Sequence, residues 1–361
     1  MASFGHGGNA KEISRENKIN YKDIIDFSAN INPLGMSSSV KDAIIEGIDE
    51  IEKYPDITYF ELKDSIEKFE NVSKENLILG NGAAEVLFNA VRGVNPKNSL
   101  ILAPTFSEYE EAAKAINSNI IYYNLKEEND FNIREDILHD INENLDLVFI
   151  CNPNNPTGVI TEIDLLKRIL NKAERNNVRV IIDESFLDFR EESFSMIPYI
   201  DEYKNLIIIK SLTKFFALPG IRIGYAICSD LTLKEKIETT SPAWNINILA
   251  EIATKAALNE KNYIKKSIEF IDHEKKYLYN EIREIDGIKV FEPSVNFILL
   301  KTLIKIDLKK ELLKNNILIR SCSNYVGLDN RYYRIAVRSH EENYKLIKIM
   351  KNIFELHRNE Q

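Results

Sequence analysis

Cysteine is scarce in this sequence, and so are long apolar runs. The three cysteines among 361 residues, Cys151, Cys228 and Cys322, are far apart and odd in number. This excludes a disulfide framework and a cysteine-based metal site, and it favours a reducing compartment. No apolar run approaches the ~18–20 residues that a membrane helix needs, and residues 1–18 lack the apolar core of a secretory signal. We therefore expect a cytoplasmic protein that does not enter a membrane.

Basic residues are also fewer than acidic residues in this sequence. Lys and Arg number 47 against 56 Asp and Glu, for a formal net charge of −9. Nucleic-acid-binding proteins usually carry a basic surplus, so we expect no nucleic-acid partner. An acidic protein can still bind an anion where basic groups gather locally. Hydrophobic residues make up 44% of the chain, and its length favours two domains.

Short apolar runs alternate with helical patterns between residues 35 and 245. The runs predict strands at 77–79, 100–103, 120–123, 147–151, 178–182, 206–209 and 223–228. Helical periodicity fills several of the intervals between them, for example at 107–116 and 162–176. This alternation predicts crossover connections and an α/β fold with a mostly parallel sheet.

The pattern changes after Trp244. A long charged helical pattern runs from about 246 to 285, and short strands and a final helix at 342–356 follow it. We interpret this part as a smaller α/β domain. The predicted division is therefore a large domain of residues 35–245 and a small domain of residues 1–34 and 246–361.

One stretch directly after the predicted strand 206–209 carries several polar groups. It contains Ser211, Thr213, Lys214 and Arg222. Ligands of open α/β sheets bind beyond the carboxyl ends of the strands, and this mixture suits an anion that also needs an amine partner. Taken alone, a lysine in this position is more often a solvated loop residue.

Three further segments of the large domain point to the same kind of ligand. The turn Gly80–Ala83 leads into a helix, where free amides and the helix dipole favour a phosphate, although a plain tight turn has the same pattern. Asn155 lies in Asn152–Gly158, a stiff loop in which its amide could donate to a ligand. Asp183 follows the last residue of a predicted strand, where it could be either the N-cap of a following helix or a functional carboxylate.

Together these groups match the needs of pyridoxal 5′-phosphate. Lys214 can supply the amine for the aldehyde, and Asp183 the carboxylate that keeps the ring nitrogen protonated. Asn155 can donate to the phenolic oxygen, and Phe106 can stack on the ring. The phosphate group could be held by Gly82, Ala83, Ser211, Thr213 and Arg222.

Asn152–Gly158, Asp183 and the Ser211–Lys214 segment with Arg222 resemble the aspartate aminotransferase superfamily of fold type I. Within it the chain looks like the histidinol-phosphate aminotransferase branch. More narrowly, it is similar to the threonine-phosphate decarboxylase family of the cobalamin pathway. The narrower similarity rests on His6–Asn9, Asp26–Gly35, Ile319–Tyr325 and Tyr332–Arg338, and the resemblance spans essentially the whole chain.

The resemblance implies roles for residues outside the cofactor motifs. It implies that Arg334 binds the substrate carboxylate, for which a bidentate guanidinium is well suited. It also implies that Tyr54 reaches the cofactor phosphate of a partner subunit, so that a homodimer shares its active sites. The residues implied to bind the phosphorylated substrate are His6, Gly7, Asn30, Asn155 and Arg320.

The reaction implied is decarboxylation of O-phospho-L-threonine to (R)-1-amino-2-propanol phosphate. The alternative is histidinol-phosphate aminotransferase with 2-oxoglutarate as acceptor, and phosphoserine stays open as a substrate. A catalytically inactive binding protein is a third interpretation, which the intact Lys214, Asp183 and Arg222 disfavour. Phe186 lies where many aminotransferases have a tyrosine that hydrogen-bonds to the phenolic oxygen of the cofactor. We interpret this difference as evidence against ordinary transamination.

Overall fold

The computed structural model describes residues 7–191 and 194–359. The strands are β1 Ile25–Asp26, β2 Leu77–Gly80, β3 Asn98–Ala103, β4 Asn119–Asn124, β5 Leu147–Cys151, β6 Arg179–Asp183, β7 Leu206–Ser211, β8 Gly224–Ile227, β9 Ile288–Val290, β10 Phe297–Thr302, β11 Ile317–Leu318, β12 Arg320–Ser321 and β13 Tyr332–Ala336.

The helices alternate with the strands through the first two thirds of the chain. They are α1 Ala10–Asn17, α2 Ser38–Glu46, α3 Phe60–Glu70, α4 Ala83–Val94, α5 Glu108–Lys114, α6 Ile137–Asp140, α7 Ile163–Arg175, α8 Leu212–Phe215, α9 Leu231–Glu238, α10 Ile248–Leu258, α11 Lys261–Arg283, α12 Leu308–Leu313 and α13 His340–Asn359. Within the described ranges, no helix is both long and apolar enough to cross a membrane.

Seven strands form the larger sheet, in the order β2-β8-β7-β6-β5-β3-β4. Strands β3 to β7 run parallel to one another, and β8 is antiparallel to both β2 and β7. Strands β5 and β7 are buried along their whole length, because helices cover both faces of the sheet, and this explains their unbroken apolar runs. The predicted α/β fold with a mostly parallel sheet is confirmed.

The C-terminal third forms a second, antiparallel sheet in the order β12-β13-β10-β9. Helix α11 packs against α13 and against strands of this sheet. Strand β1 pairs in parallel with β11, which ties the N-terminal segment to the C-terminal part of the chain. The division into a large domain of residues 35–245 and a small domain of residues 1–34 and 246–361 stays a prediction.

The prediction of one long helix from about 246 to 285 was wrong. The chain forms α10 and α11 there, and Glu260 leaves the helical conformation between them with ψ 60°. The Asn259 side chain donates to the carbonyl of Lys255 and so closes the end of α10. Helix α10 packs on α2 and α3, whereas α11 packs on α13. The break therefore allows the two helices to pack against different neighbours.

Candidate active site

A cavity of about 140 Å³ lies at the carboxyl ends of β5, β6 and β7. These strands end at Cys151, Asp183 and Ser211, and their parallel direction brings the three ends to one edge of the sheet. The lining residues are Ala83, Ala84, Leu87, Phe106, Tyr109, Cys151, Asn155, Asp183, Ser185, Phe186, Ser211, Thr213, Lys214 and Arg222. Every large-domain residue proposed from the sequence to face the cofactor of its own subunit is among them, except Gly82, which adjoins Ala83.

Lys214 lies in the short helix α8, and its amine faces the cavity. Its Nζ donates to Ser211 Oγ at 3.1 Å and lies 5.0 Å from the centre of the Phe186 ring. Burial lowers the pKa of Lys214, Asp183 opposes this, and the guanidinium groups of Arg222 and Arg334 add to it. The amine is therefore neutral from a lower pH than an exposed lysine, and the neutral form is the nucleophile.

A buried ion cluster anchors β7 just before this helix. Lys210 Nζ lies 2.5 Å from a carboxylate oxygen of Asp188 and 3.7 Å from one of Glu70. The hydroxyl of Tyr225 on β8 also hydrogen-bonds to Glu70. Since side chains alternate along a strand, Lys210 and Ser211 point to opposite faces of the sheet. One face is fixed by this cluster and the other carries the cavity.

The Asp183 carboxylate is held from two sides. Tyr109 OH donates to its Oδ2 at 2.7 Å, and the backbone N–H of Ser185 donates to its Oδ1 at 2.9 Å. Burial and the nearby Asp183 raise the pKa of Tyr109 well above its usual value, so its hydroxyl stays a donor. Sequence reasoning missed Tyr109, and its one signal was its place three residues after Phe106.

The start of α4 forms a cradle with Arg222. Gly82 has φ +91°, and a Cβ there would lie 2.4 Å from Arg222 Nη2, so a side chain is excluded by both conformation and space. Within the described part of the chain, no side chain caps α4 at Gly82. The hydroxyls of Ser211 and Thr213 lie 3.0 Å apart and line the same cavity as Ala83 and Arg222. Free helix amides, two hydroxyls and a guanidinium fit a phosphate group.

The amide of Asn155 has a fixed orientation. Its Oδ1 accepts from Arg334 Nη1 at 2.5 Å and from Tyr325 OH at 3.4 Å. With two donors on the oxygen, Nδ2 is the group left to face the cavity. Tyr325 lies in a motif quoted for the family resemblance, but nothing in the sequence indicated its contact with Asn155.

Arg320 and Arg334 lie directly opposite each other on β12 and β13. Arg334 is buried, and its Nη2 donates to the carbonyl of Ser28 at 2.8 Å. Arg320 Nη2 donates to Asn324 Oδ1 at 2.7 Å. Among the described residues, neither guanidinium has a carboxylate within ion-pair distance. Two neighbouring cations so placed form a site for anions.

The N-terminal segment lies over these arginines. A Cβ on Gly7 would come 2.0 Å from the Ser28 oxygen and 3.3 Å from Arg334 Nη2, and the N–H of Gly8 donates to Ser28 Oγ at 2.9 Å. The Asn30 side chain is 5% exposed, yet neither its Oδ1 nor its Nδ2 has a hydrogen-bond partner among the described residues. A buried unpaired amide is expected to meet a polar ligand.

One residue predicted to contact the cofactor, Tyr54, lies away from the cavity. Tyr54 is 82% exposed and packs on Trp244 at 5.0 Å between ring centres. His6 lies outside the residues that the structure describes.

Comparisons with known proteins agree with this geometry. The family model "Aminotransferase class I and II" matches residues 22–349. A threonine-phosphate decarboxylase of Salmonella typhimurium is 36% identical over 356 residues, which cover 98% of each chain. The adenosylcobalamin biosynthesis bifunctional protein CobDQ of Leptospira interrogans is 37% identical over 97% of this chain and 41% of its own length.

A solved structure is also closely similar. The histidinol-phosphate aminotransferase from Clostridium acetobutylicum superposes with a TM-score of 0.86 at 35% identity, covering 91% of this chain and 98% of its own. The resemblance predicted from the sequence, to this branch and to threonine-phosphate decarboxylases within it, is thereby confirmed. The chain belongs to the aminotransferase class I and II family.

Proposed function

We propose that this protein is a pyridoxal-phosphate-dependent decarboxylase that converts O-phospho-L-threonine to (R)-1-amino-2-propanol phosphate for cobalamin nucleotide-loop assembly. The observation that carries the proposal is the pair Arg320 and Arg334, opposite each other on adjacent strands. The similarity to a threonine-phosphate decarboxylase and to a cobalamin biosynthesis protein supports the same substrate and pathway.

The two arginines match a substrate with two anionic groups. Phosphothreonine carries a carboxylate and a phosphate on one molecule, so it can engage Arg334 and Arg320 at the same time. Histidinol phosphate has a phosphate but no carboxylate, and would leave one guanidinium without an anion. The unpaired amide of Asn30 and the backbone of Gly7 offer further donors to the substrate, and we assign His6 to the same group from the family resemblance.

The lining of the cavity fits the cofactor. We assign Lys214 to the aldehyde, Asp183 to the ring nitrogen, Asn155 Nδ2 to the phenolic oxygen and Phe106 to ring stacking. The phosphate cradle would consist of Gly82, Ala83, Ser211, Thr213 and Arg222. When bound, pyridoxal phosphate supplies an electron sink, because its protonated ring accepts the electron pair left at Cα when a bond to Cα breaks.

The protein's own residues orient the substrate and return the proton. Arg334 and Arg320 would hold the carboxylate and the phosphate of the substrate, and so fix its orientation beside the amine of Lys214. The carboxylate would leave as carbon dioxide, and Lys214 Nζ, having taken up the proton that the substrate ammonium group gives up, would deliver that proton to Cα. The amine product keeps the phosphate.

A histidinol-phosphate aminotransferase is the second candidate, because a solved structure so titled superposes at 35% identity. In that reaction Lys214 would remove the proton from Cα, and 2-oxoglutarate would be needed as acceptor.

Phe186 distinguishes the two proposals. We expect Phe186→Tyr to shift the titration of the bound cofactor and to raise the rate of amino transfer, which spectrophotometric titration and a coupled oxo-acid assay would measure. An unchanged titration and product ratio would contradict a role for Phe186 in the choice of reaction.

We further propose a cytoplasmic homodimer with shared active sites. Tyr54 is highly exposed within an apolar surface, which suits a contact with a second copy of the chain. The other exposed apolar residues nearby are Ile45, Ile48, Ile51, Ile57, Phe60 and Trp244. The three cysteines are free and buried, which accords with a reducing compartment.

A panel of three ligands tests the two-anion site. O-phospho-L-threonine carries both anions, L-threonine lacks the phosphate, and O-phosphoethanolamine lacks the carboxylate. We expect competition kinetics on the holoenzyme to give a KM for phosphothreonine at least about tenfold below the inhibition constant of either fragment, since each lost charge-assisted contact costs about 1.5–3 kcal/mol. Equal affinity for phosphothreonine and phosphoethanolamine would reject Arg334 as the carboxylate site.

A further inference from the structure

A polar cluster joins the two sheets away from the cavity. Glu127, in the segment after β4, accepts hydrogen bonds from Lys289 Nζ at 2.9 Å, Lys301 Nζ at 2.7 Å and Tyr332 OH at 2.5 Å. The three donors belong to β9, β10 and β13. One carboxylate of the larger-sheet region therefore contacts three strands of the smaller sheet. We call Glu127, Lys289, Lys301 and Tyr332 the Glu127 cluster.

Aromatic packing supports the cluster from behind. Phe131, four residues after Glu127, packs on Phe291 and Tyr332 with ring centres 5.2 and 6.2 Å apart. Burial acts to raise the pKa of Glu127, but hydrogen bonds from Lys301, Tyr332 and Lys289 outweigh it and lower the pKa to about 2. The carboxylate therefore stays ionised at neutral pH, and its contacts to the two lysines are charge-assisted.

The cluster shares a strand face with the two substrate arginines. Tyr332 and Arg334 are two residues apart on β13, so their side chains point to the same face about 7 Å apart. Lys301 pairs with Tyr332 across β10 and β13, and Arg320 pairs with Arg334 across β12 and β13. The Glu127 cluster and the two arginines therefore lie next to each other on one face of the smaller sheet.

We infer that Glu127 is a positioning residue for substrate binding, which holds β13 so that Arg334 keeps its contact with Asn155 in the cavity lining and Arg320 keeps its place opposite Arg334. Its carboxylate touches neither the cavity lining nor the arginines, and it acts through the strand that carries them. A shift of that strand by an ångström would disturb both placements, and losses of this kind are large in a preorganised site. The identity of the ligand rests on the proposed function, whereas the tie between the sheets does not.

Two variants and one control test the inference. Glu127→Gln removes the charge, and Tyr332→Phe removes one hydroxyl while keeping the aromatic packing. Glu128→Gln is the control, because this neighbouring glutamate is 74% exposed and its ion pair is with Lys126 in the same segment, at 3.8 Å. We expect the first variant to weaken O-phospho-L-threonine binding about tenfold or more, within the range typical of coupling between sites. Tyr332→Phe should weaken it less, and Glu128→Gln should leave it unchanged.

Three measurements separate positioning from general destabilisation. Steady-state kinetics gives the KM for phosphothreonine, fluorescence titration gives the pyridoxal phosphate affinity, and hydrogen exchange reports the backbone amides of β9, β10 and β13 against those of β5 and β6. We expect Glu127→Gln to raise this KM and to speed exchange in the smaller sheet, with exchange in the larger sheet unchanged. The cofactor affinity should change much less than the KM, because β13 reaches the cofactor site only through the contact of Arg334 with Asn155.

The remaining outcomes count against the inference. Faster exchange with an unchanged KM for phosphothreonine would make the cluster a plain structural tie, and a higher KM without faster exchange would mean that Glu127 does not act through the strand. Results equal to those of Glu128→Gln would reject it outright. If the wild-type protein does not bind phosphothreonine, the proposed function fails, and the exchange data still decide whether Glu127 holds the smaller sheet.

Discussion

The proposed reaction depends more on Lys214 than on any other single residue, because its amine must react with the cofactor aldehyde. Its buried position lowers the pKa of its amine, so the neutral, reactive form predominates from a lower pH than for a free lysine. We expect the rate of pyridoxal phosphate incorporation into the apoprotein to rise with pH and to level off below the usual lysine range. Stopped-flow absorbance across a pH series measures this. A rate still rising through the ordinary lysine pKa would contradict the assignment, and Lys214→Ala should show no lysine-bound absorbance at any pH.

Arg320 separates substrate binding from cofactor binding. It lies opposite Arg334 and has no contact with the phosphate cradle around Gly82. We expect Arg320→Ala to raise the KM for phosphothreonine roughly 10- to 100-fold, as the loss of a charge-assisted hydrogen bond implies, with the dissociation constant of pyridoxal phosphate unchanged. Steady-state kinetics and cofactor titration measure the two quantities. Equal losses in both would reject its role in substrate binding.

The residues around the cavity differ in how far the sequence could predict them. Lys214, Asp183 and Asn155 follow buried strands directly, so their place at the edge of the sheet follows from pattern and chemistry. Tyr109 and Tyr325 lie on other segments and reach Asp183 and Asn155 only after the chain has folded. No spacing rule connects them, which is why sequence reasoning missed both.

At the level of elements, the start of α4 tests the proposed phosphate cradle. Gly82 has a left-handed φ, and a Cβ would collide with Arg222. We expect Gly82→Ala to weaken pyridoxal phosphate binding about tenfold or more, because a backbone region adopted almost only by glycine costs an alanine roughly 1–3 kcal/mol and the guanidinium must also move. Gly220→Ala is the matched control, since a Cβ there meets nothing within 4 Å. Fluorescence titration gives both affinities, and similar values for the two variants would contradict the cradle.

Element prediction succeeded where burial imposes a simple pattern. Strands such as β5 and β7 are buried along their whole length, so each contains a continuous apolar run, 147–151 in β5 and 206–209 in β7. The break between α10 and α11 was not predictable in the same way. Its sequence stays polar and helical in pattern through Asn259 and Glu260, and the division arises because the two helices pack on different neighbours.

At the scale of the whole molecule, the exposed Tyr54 predicts a site shared between two subunits. We expect Tyr54→Ala to weaken cofactor binding and Lys214→Ala to abolish turnover. Mixed dimers of the two variants should regain one intact site, which has Lys214 from one chain and Tyr54 from the other. Activity and cofactor affinity after co-refolding measure this. Mixtures that do no better than the separate variants would contradict a shared site.

The whole-molecule arrangement was partly readable from the sequence. The alternation of strands and helices predicts the larger sheet, and the change after Trp244 predicts a second unit. The return of the N-terminal segment to that unit depends on the pairing of β1 with β11, which joins residues nearly three hundred positions apart. Hydrophobic periodicity could not predict this pairing, because two-residue strands leave almost no pattern.

The most direct test of the proposed function is the stoichiometry of carbon dioxide release. Purified protein is incubated with pyridoxal phosphate and carboxyl-labelled O-phospho-L-threonine, with no oxo acid present. The account predicts label released as carbon dioxide over many turnovers, with an equal amount of aminopropanol phosphate formed. No release, together with amino transfer from histidinol phosphate to 2-oxoglutarate, would contradict the decarboxylase and leave the family assignment standing.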